Sequence, residues 1–125
     1  RSLKAAIAGK KFNKAEQRLV DVAQSAVDLQ ARYLPPGDIE VARFHLHTQQ
    51  LRVDAAADNL AGVTGEVAAL EWIRDRLKGV LNPADQSEID NGLRDLRNAA
   101  DSENLVTAAD HATRLASRLR DLPLK

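Results

Sequence analysis

Apolar residues recur at alternating intervals of three and four along most of this chain. Phe12, Ala15, Leu19, Val22, Ala26, Leu29 and Tyr33 form one such series. Ile39, Ala42, Leu46, Gln49, Val53, Ala56 and Leu60 form a second, in which a glutamine takes one apolar place. Leu70, Ile73, Leu77 and Leu81 form a third, followed by Ile89, Leu93, Leu96 and Ala100. Leu105, Ala108, Ala112, Leu115, Leu119 and Leu122 complete the set. This spacing places one narrow apolar stripe on each helix, as in bundles and coiled coils. No run alternates apolar and polar residues with the period of a strand.

Proline, glycine and capping residues divide the pattern. Leu34-Pro35-Pro36-Gly37 is a strong break, because proline lacks an amide hydrogen and clashes with the preceding turn. At the second, Asn82-Pro83, asparagine suits an N-cap and proline the first helical position. Weaker breaks fall at Gly9–Asn13, Gly62–Gly65 and Asp101–Asn104. The pattern predicts a short helix near residues 2–9, then helices near 13–34, 38–61, 65–81, 84–100 and 103–121.

These elements predict an all-α domain spanning residues 1–125, an antiparallel helical bundle of four to five helices. The alternative is an elongated three-helix bundle of rods 2–34, 38–81 and 84–121, whose middle rod would be about 65 Å long at the helical rise. Two glycines in Gly62–Gly65 would cost a continuous helix about 1 kcal/mol each, which favours a turn there and the compact form. Opposite charges one turn apart support the outer faces at Asp28–Arg32, Asp90–Arg94 and Asp110–Arg114. Each such pair contributes only a few tenths of a kcal/mol, so burial of the stripes must supply most of the stability.

Composition narrows the function classes. The 125 residues are 44% hydrophobic, mostly Ala, Leu and Val, with two Phe, one Tyr and one Trp. Eighteen basic residues balance eighteen acidic ones, and the two signs alternate along the chain. A nucleic-acid footprint needs a basic excess or stripe, and neither is present. No apolar run is long enough to span a bilayer. Cysteine is absent, which rules out disulfides and thiolate sites. Methionine is absent too, even at position 1, which suggests a module from a longer or processed protein. The bias to Arg and Ala suggests a bacterial source. The sequence does not fix the compartment, and its balance leans to a bacterial extracytoplasmic position.

There is no phosphate-binding glycine loop, calcium loop or His-Glu-x-x-His pattern, and no cofactor is expected. No local signature joins a serine to one of the three histidines, so no catalytic residue is assigned and no enzyme is expected. Asp54 and Asp58 stand one turn apart, which is ordinary for a solvated helix face. His45 and His111 flank the stripes of two helices that could run antiparallel. At one level of the bundle they would form a two-histidine ligand-binding site for a metal, haem or apolar molecule. His47 should face water. Trp72 and Phe44 fall off their predicted seams and together could form an exposed apolar interaction patch.

The function expected from these features is a non-enzymatic interaction or sensor module with a protein partner. A ligand-binding bundle built on His45 and His111 is the alternative. Ala-rich seams with Leu also suit a homodimer.

Overall fold

The computed structural model describes residues 14, 16–26, 28 and 35–124 of the chain. The described residues form α-helices and the connections between them, with no strand among them. Helix α1 comprises the helical residues 14, 16–26 and 28; α2 is Pro36–Ala56, α3 Leu60–Arg76, α4 Pro83–Asp101 and α5 Leu105–Asp121. The short helix expected at 2–9 lies outside the described residues, as do Phe12, Ala15, Leu29 and Tyr33.

Helices α2–α5 begin at residues suited to a helix N-terminus. Pro36 and Pro83 lie at the starts of α2 and α4, where a missing N–H costs nothing. Asn59, Asn82 and Asn104 cap α3, α4 and α5, their side-chain oxygens accepting from the amides of Gly62, Asp85 and Thr107 at 3.0, 2.9 and 3.1 Å.

The break between α2 and α3 is a turn, as the compact form requires, but it lies at Ala57–Asn59 rather than at Gly62–Gly65. Residues 38–81 are therefore two helices and not one rod. Asp58 takes a left-handed φ of 57°, and the amides of Asp58 and Asn59 donate back to Ala55 O and Asp54 O. This is the Schellman arrangement that closes a helix C-terminus. Gly62 and Gly65 lie inside α3. A Cβ on Gly62 would come within 2.5 Å of Asn59 Nδ2, the side chain that caps the helix, and within 2.7 Å of an Asp54 carboxylate oxygen, so the glycine answers a close approach of side chains rather than a turn.

Paired contacts give the helix directions. Glu40 meets Arg76 and His47 meets Glu66, so α3 runs back along α2. Arg74 meets Asp90 and Glu71 meets Arg97, which reverses α4 on α3. Glu88 meets Arg118 and His45 meets Arg120, so α5 opposes both α4 and α2. Helix α2 thus packs on α3 and α5, as does α4, while α3 and α5 touch only across the diagonal.

The stripes predicted for α3, α4 and α5 form the core. Leu70 and Ile73, joined by Val63 and Val67 that the predicted stripe did not include, pack with Ile89, Leu93, Leu96, Leu115 and Leu119 in one cluster, and Ala108 and Ala112 let α5 approach closely. Each large aliphatic side chain buried here contributes about 1.5–3 kcal/mol. In α2 the stripe is only partly right. Ile39, Leu46 and Val53 are buried, whereas Gln49 and Ala56 are exposed, and Phe44 and Leu51 fill the centre instead. In α1 the predicted stripe points outward: Leu19 is 70% and Val22 68% exposed. Half-buried Val20 and Ala23 face Gln49, Arg52 and Val53 of α2, and Gln17 and Gln50 exchange two side-chain hydrogen bonds.

Of the charge pairs expected along single helices, Asp110–Arg114 forms. Asp90 reaches instead across to Arg74 of α3, at 3.6 Å. Arg32 lies outside the described residues.

Candidate functional site

The outer surface of α3 differs from those of its neighbours. Ala61, Thr64, Gly65, Ala68 and Trp72 are all exposed and share one side of the helix at the spacing of its turns. None carries a charge. The acidic residues interleaved with them turn inward: Glu66 sits 2.5 Å from His47 Nδ1 of α2, and Glu71 pairs with Arg97 of α4. On α4 the exposed positions include Glu88, Arg94, Asp95 and Asp101, and on α5 they include Asp110, Arg114, Arg118 and Asp121. The α3 face is thus an uncharged strip; other exposed apolar side chains are Leu19 and Val22 of α1 and Val106 of α5.

Trp72 ends the strip and is 59% exposed. The Arg76 guanidinium lies over its ring, 4.7 Å from the centroid, at a cation–π distance. Arg76 also donates through Nε to Glu40 Oε1 at 2.9 Å, and Arg43 reaches the same oxygen at 3.3 Å. Glu40 is only 4% exposed. A buried carboxylate is tolerated when paired and hydrogen-bonded; the two guanidinium groups supply that pairing at Oε1, while Oε2 is buried with no hydrogen-bond partner among the described residues. The chain Glu40–Arg76–Trp72 ties the indole to α2 through the guanidinium, and Trp72 keeps more than half of its surface in solvent.

Phe44 is not part of this surface. Its ring is fully buried in the core, so the patch expected from Phe44 and Trp72 together does not form. The two differ because α2 packs on both α3 and α5, so a residue off its main stripe is still interior.

The two histidines are also not brought together. His45 lies beside Arg120 in the groove between α2 and α5. His111 faces the other side of α5, beside Asp95, Asn98 and Thr107, in the groove with α4. The register explains the separation: α2 and α5 align so that Gly37 lies near Leu124 and His45 near Arg120. His111 is then more than two turns of α5 away from the level of His45, over 10 Å along the axis. Among the described residues no group of three or more His, Cys, Asp or Glu side chains could hold a metal ion.

Arg120 can only donate, so His45 Nε2 must accept and the proton of the neutral ring resides on Nδ1. Burial, and then the charge of Arg120, hold the His45 pKa below its ordinary 6.5. Asp54 is shifted the other way. Its burial raises the pKa, the hydrogen bond from Gln50 opposes that, and the charge of Glu66 adds to the rise. His47, expected to face water, is half-buried and joined to Glu66.

Sequence reasoning missed Glu40 and Arg76. The only local sign was the i, i+3 spacing of Glu40 and Arg43; the partner that matters, Arg76, lies on another helix. Among the described residues no helix is long and apolar enough to cross a membrane. No protein-family model, no curated protein and no solved structure matches this chain.

Proposed function

We propose that this chain is a non-enzymatic protein-interaction or sensor module, an antiparallel bundle of α2–α5 with α1 laid along it, which engages a protein partner through the outer face of α3. The observation that carries this reading is the exposure of Trp72 at the end of an uncharged strip. Tryptophan is enriched among residues that dominate binding energy, and charged residues are depleted at interface centres. The Glu40–Arg76 support adds to the case, because an anchor held in one orientation loses less freedom on binding. Small residues at Ala61, Gly65 and Ala68 allow a partner's backbone to come close.

Chemical cross-linking of the intact protein in its own cells tests the reading. Trp72→Ala and Ala68→Glu should each abolish the cross-linked species without lowering the melting temperature. Asn91→Ala, on the exposed side of α4, should leave them in place. A pattern indifferent to all three substitutions, or no cross-linked species at all, would refute it.

A further inference from the structure

The α3 strip carries both halves of a self-complementary contact. Trp72 projects from it, and two turns earlier on the same strip stands Gly65. A Cβ built on Gly65 would have nothing within 4 Å, so the helix surface there is bare and open. A projecting ring and a bare backbone spaced along one helix are what two antiparallel copies of that helix need. Each ring then covers the other's glycine about a two-fold axis at Ala68–Ala69.

The charges at the two ends of α3 agree with this arrangement. Beyond Trp72 lie Arg76 and Lys78, both exposed. Before Ala61 lies Asp58, exposed on the turn, with no ion-pair partner among the described residues. Lys78 is bound only weakly at home, 3.5 Å from an Asp75 that is itself half exposed. Antiparallel packing brings the basic end of one α3 to the acidic turn of the other, twice by symmetry. The middle of the strip holds only Thr64, Gly65, Ala68 and Ala69 between the inward-turned Glu66 and Glu71, so no like charges meet at the axis.

We infer that the partner of the α3 face is a second copy of this chain, joined as a two-fold dimer in which each Trp72 packs on the other's Gly65 and each Lys78 approaches the other's Asp58. This inference rests on the reading of α3 as an interaction face and names its occupant. The contact is isologous, so it closes at two copies. One helix face per copy lies at or below the lower limit of stable interfaces, about 1,200 Å² in total, so the dimer should be weak, with a Kd of roughly 10–100 μM.

Sedimentation equilibrium on the purified intact chain, from about 1 μM to 1 mM so as to bracket that range, should show monomer passing to dimer. The single Trp should report the same transition, its emission shifting to the blue as the ring leaves water. The chain has no cysteine, so Ala68→Cys places one thiol beside the axis. Under mild oxidation it should form a disulfide-linked dimer far faster than Asn91→Cys on the exposed side of α4. Ala68→Glu should remain monomeric with unchanged helicity and melting temperature. Lys78→Glu and Asp58→Lys should each weaken the dimer about tenfold, and the double reversal should restore it.

A chain that stays monomeric throughout, or a dimer untouched by Ala68→Glu, overturns the inference. If cellular cross-links still vanish on Ala68→Glu while the purified chain is monomeric, the self-association fails and the broader reading stands. If the cross-links persist as well, both fail.

Discussion

Asn59 and Asn104 occupy the same place in two turns of the same shape. The backbone angles are −98° and 86° at Asn59, and −92° and 84° at Asn104. Each follows a residue with left-handed φ, Asp58 at 57° and Glu103 at 59°. Each donates its amide to the carbonyl five residues back and accepts, through its side chain, the amide three residues ahead. One asparagine thus closes the preceding helix and opens the next. Asn59→Ala or Asn104→Ala should each cost about 1 kcal/mol, a typical N-cap loss, read by urea denaturation.

Within the same turns, Glu103 holds a conformation that is unfavourable for a residue with a Cβ. Glu103→Gly should raise stability by about 0.5–1 kcal/mol, because relief of that strain outweighs the added freedom of the unfolded chain. Thermal melting of the two proteins side by side would show it. A fall in melting temperature would mean that the left-handed residue is not strained.

Two glycines in helix interiors should respond in opposite directions. A Cβ at Gly92 would come within 2.3 Å of the end of the Leu115 side chain where α4 crosses α5, so Gly92→Ala should cost about 1–3 kcal/mol through overpacking. Gly65 has nothing near it, so Gly65→Ala should add about 0.5–1 kcal/mol of helix propensity to the monomer. Chemical denaturation at a concentration too low for association separates these effects from any dimer.

Glu40 and Arg76 should be coupled. Removing Arg76 takes away the shorter of two hydrogen bonds to a buried carboxylate. Arg76→Leu should therefore cost about 1–3 kcal/mol, the scale of leaving a buried acceptor without its closer donor. In the Glu40→Gln background the same change should cost less. A double-mutant cycle gives the coupling directly, and strict additivity would exclude it.

The neutral ring of His45 should make the fold sensitive to mild acid. Its folded pKa lies below 6.5, so the unfolded chain binds the proton more readily. The stability it contributes is complete above pH 6.5 and is lost as the pH falls through the folded pKa. The melting temperature should decline from pH 7 towards pH 5, and His45→Gln should flatten that decline. An identical slope in the two proteins would assign the decline to other groups.

What the sequence could show followed from how local each cause was. The starts of α2 and α4 were legible from Pro35-Pro36 and Asn82-Pro83, because capping acts between near neighbours. The α4 and α5 stripes were legible because each helix buries one side only. The turn after α2 was misplaced because Gly62 and Gly65 looked like its punctuation. Gly62 is small because the capping side chain of Asn59 and the carboxylate of Asp54 both crowd it, which its spacing from Gly65 does not reveal. The true signal was the pair Asp58-Asn59, matched by Glu103-Asn104 one hairpin later and unrecognised as a repeat. The separation of His45 from His111 depended on the offset between two helices that no spacing along the chain encodes. Trp72 was legible as a residue off its seam; its brace from Glu40 was not.

Gly37 lies where three distant parts of the chain converge. A Cβ there would meet Val80 at 2.7 Å and Leu124 at 3.5 Å. The first turn of α2, the connection into α4 and the tail after α5 therefore come together at one pole, and the four helices form a closed circuit. Such a circuit has no privileged origin. A short linker from Leu124 to Pro36, with a new opening at Asp58 or Glu103, would thread the same four helices in a rotated order around the same core.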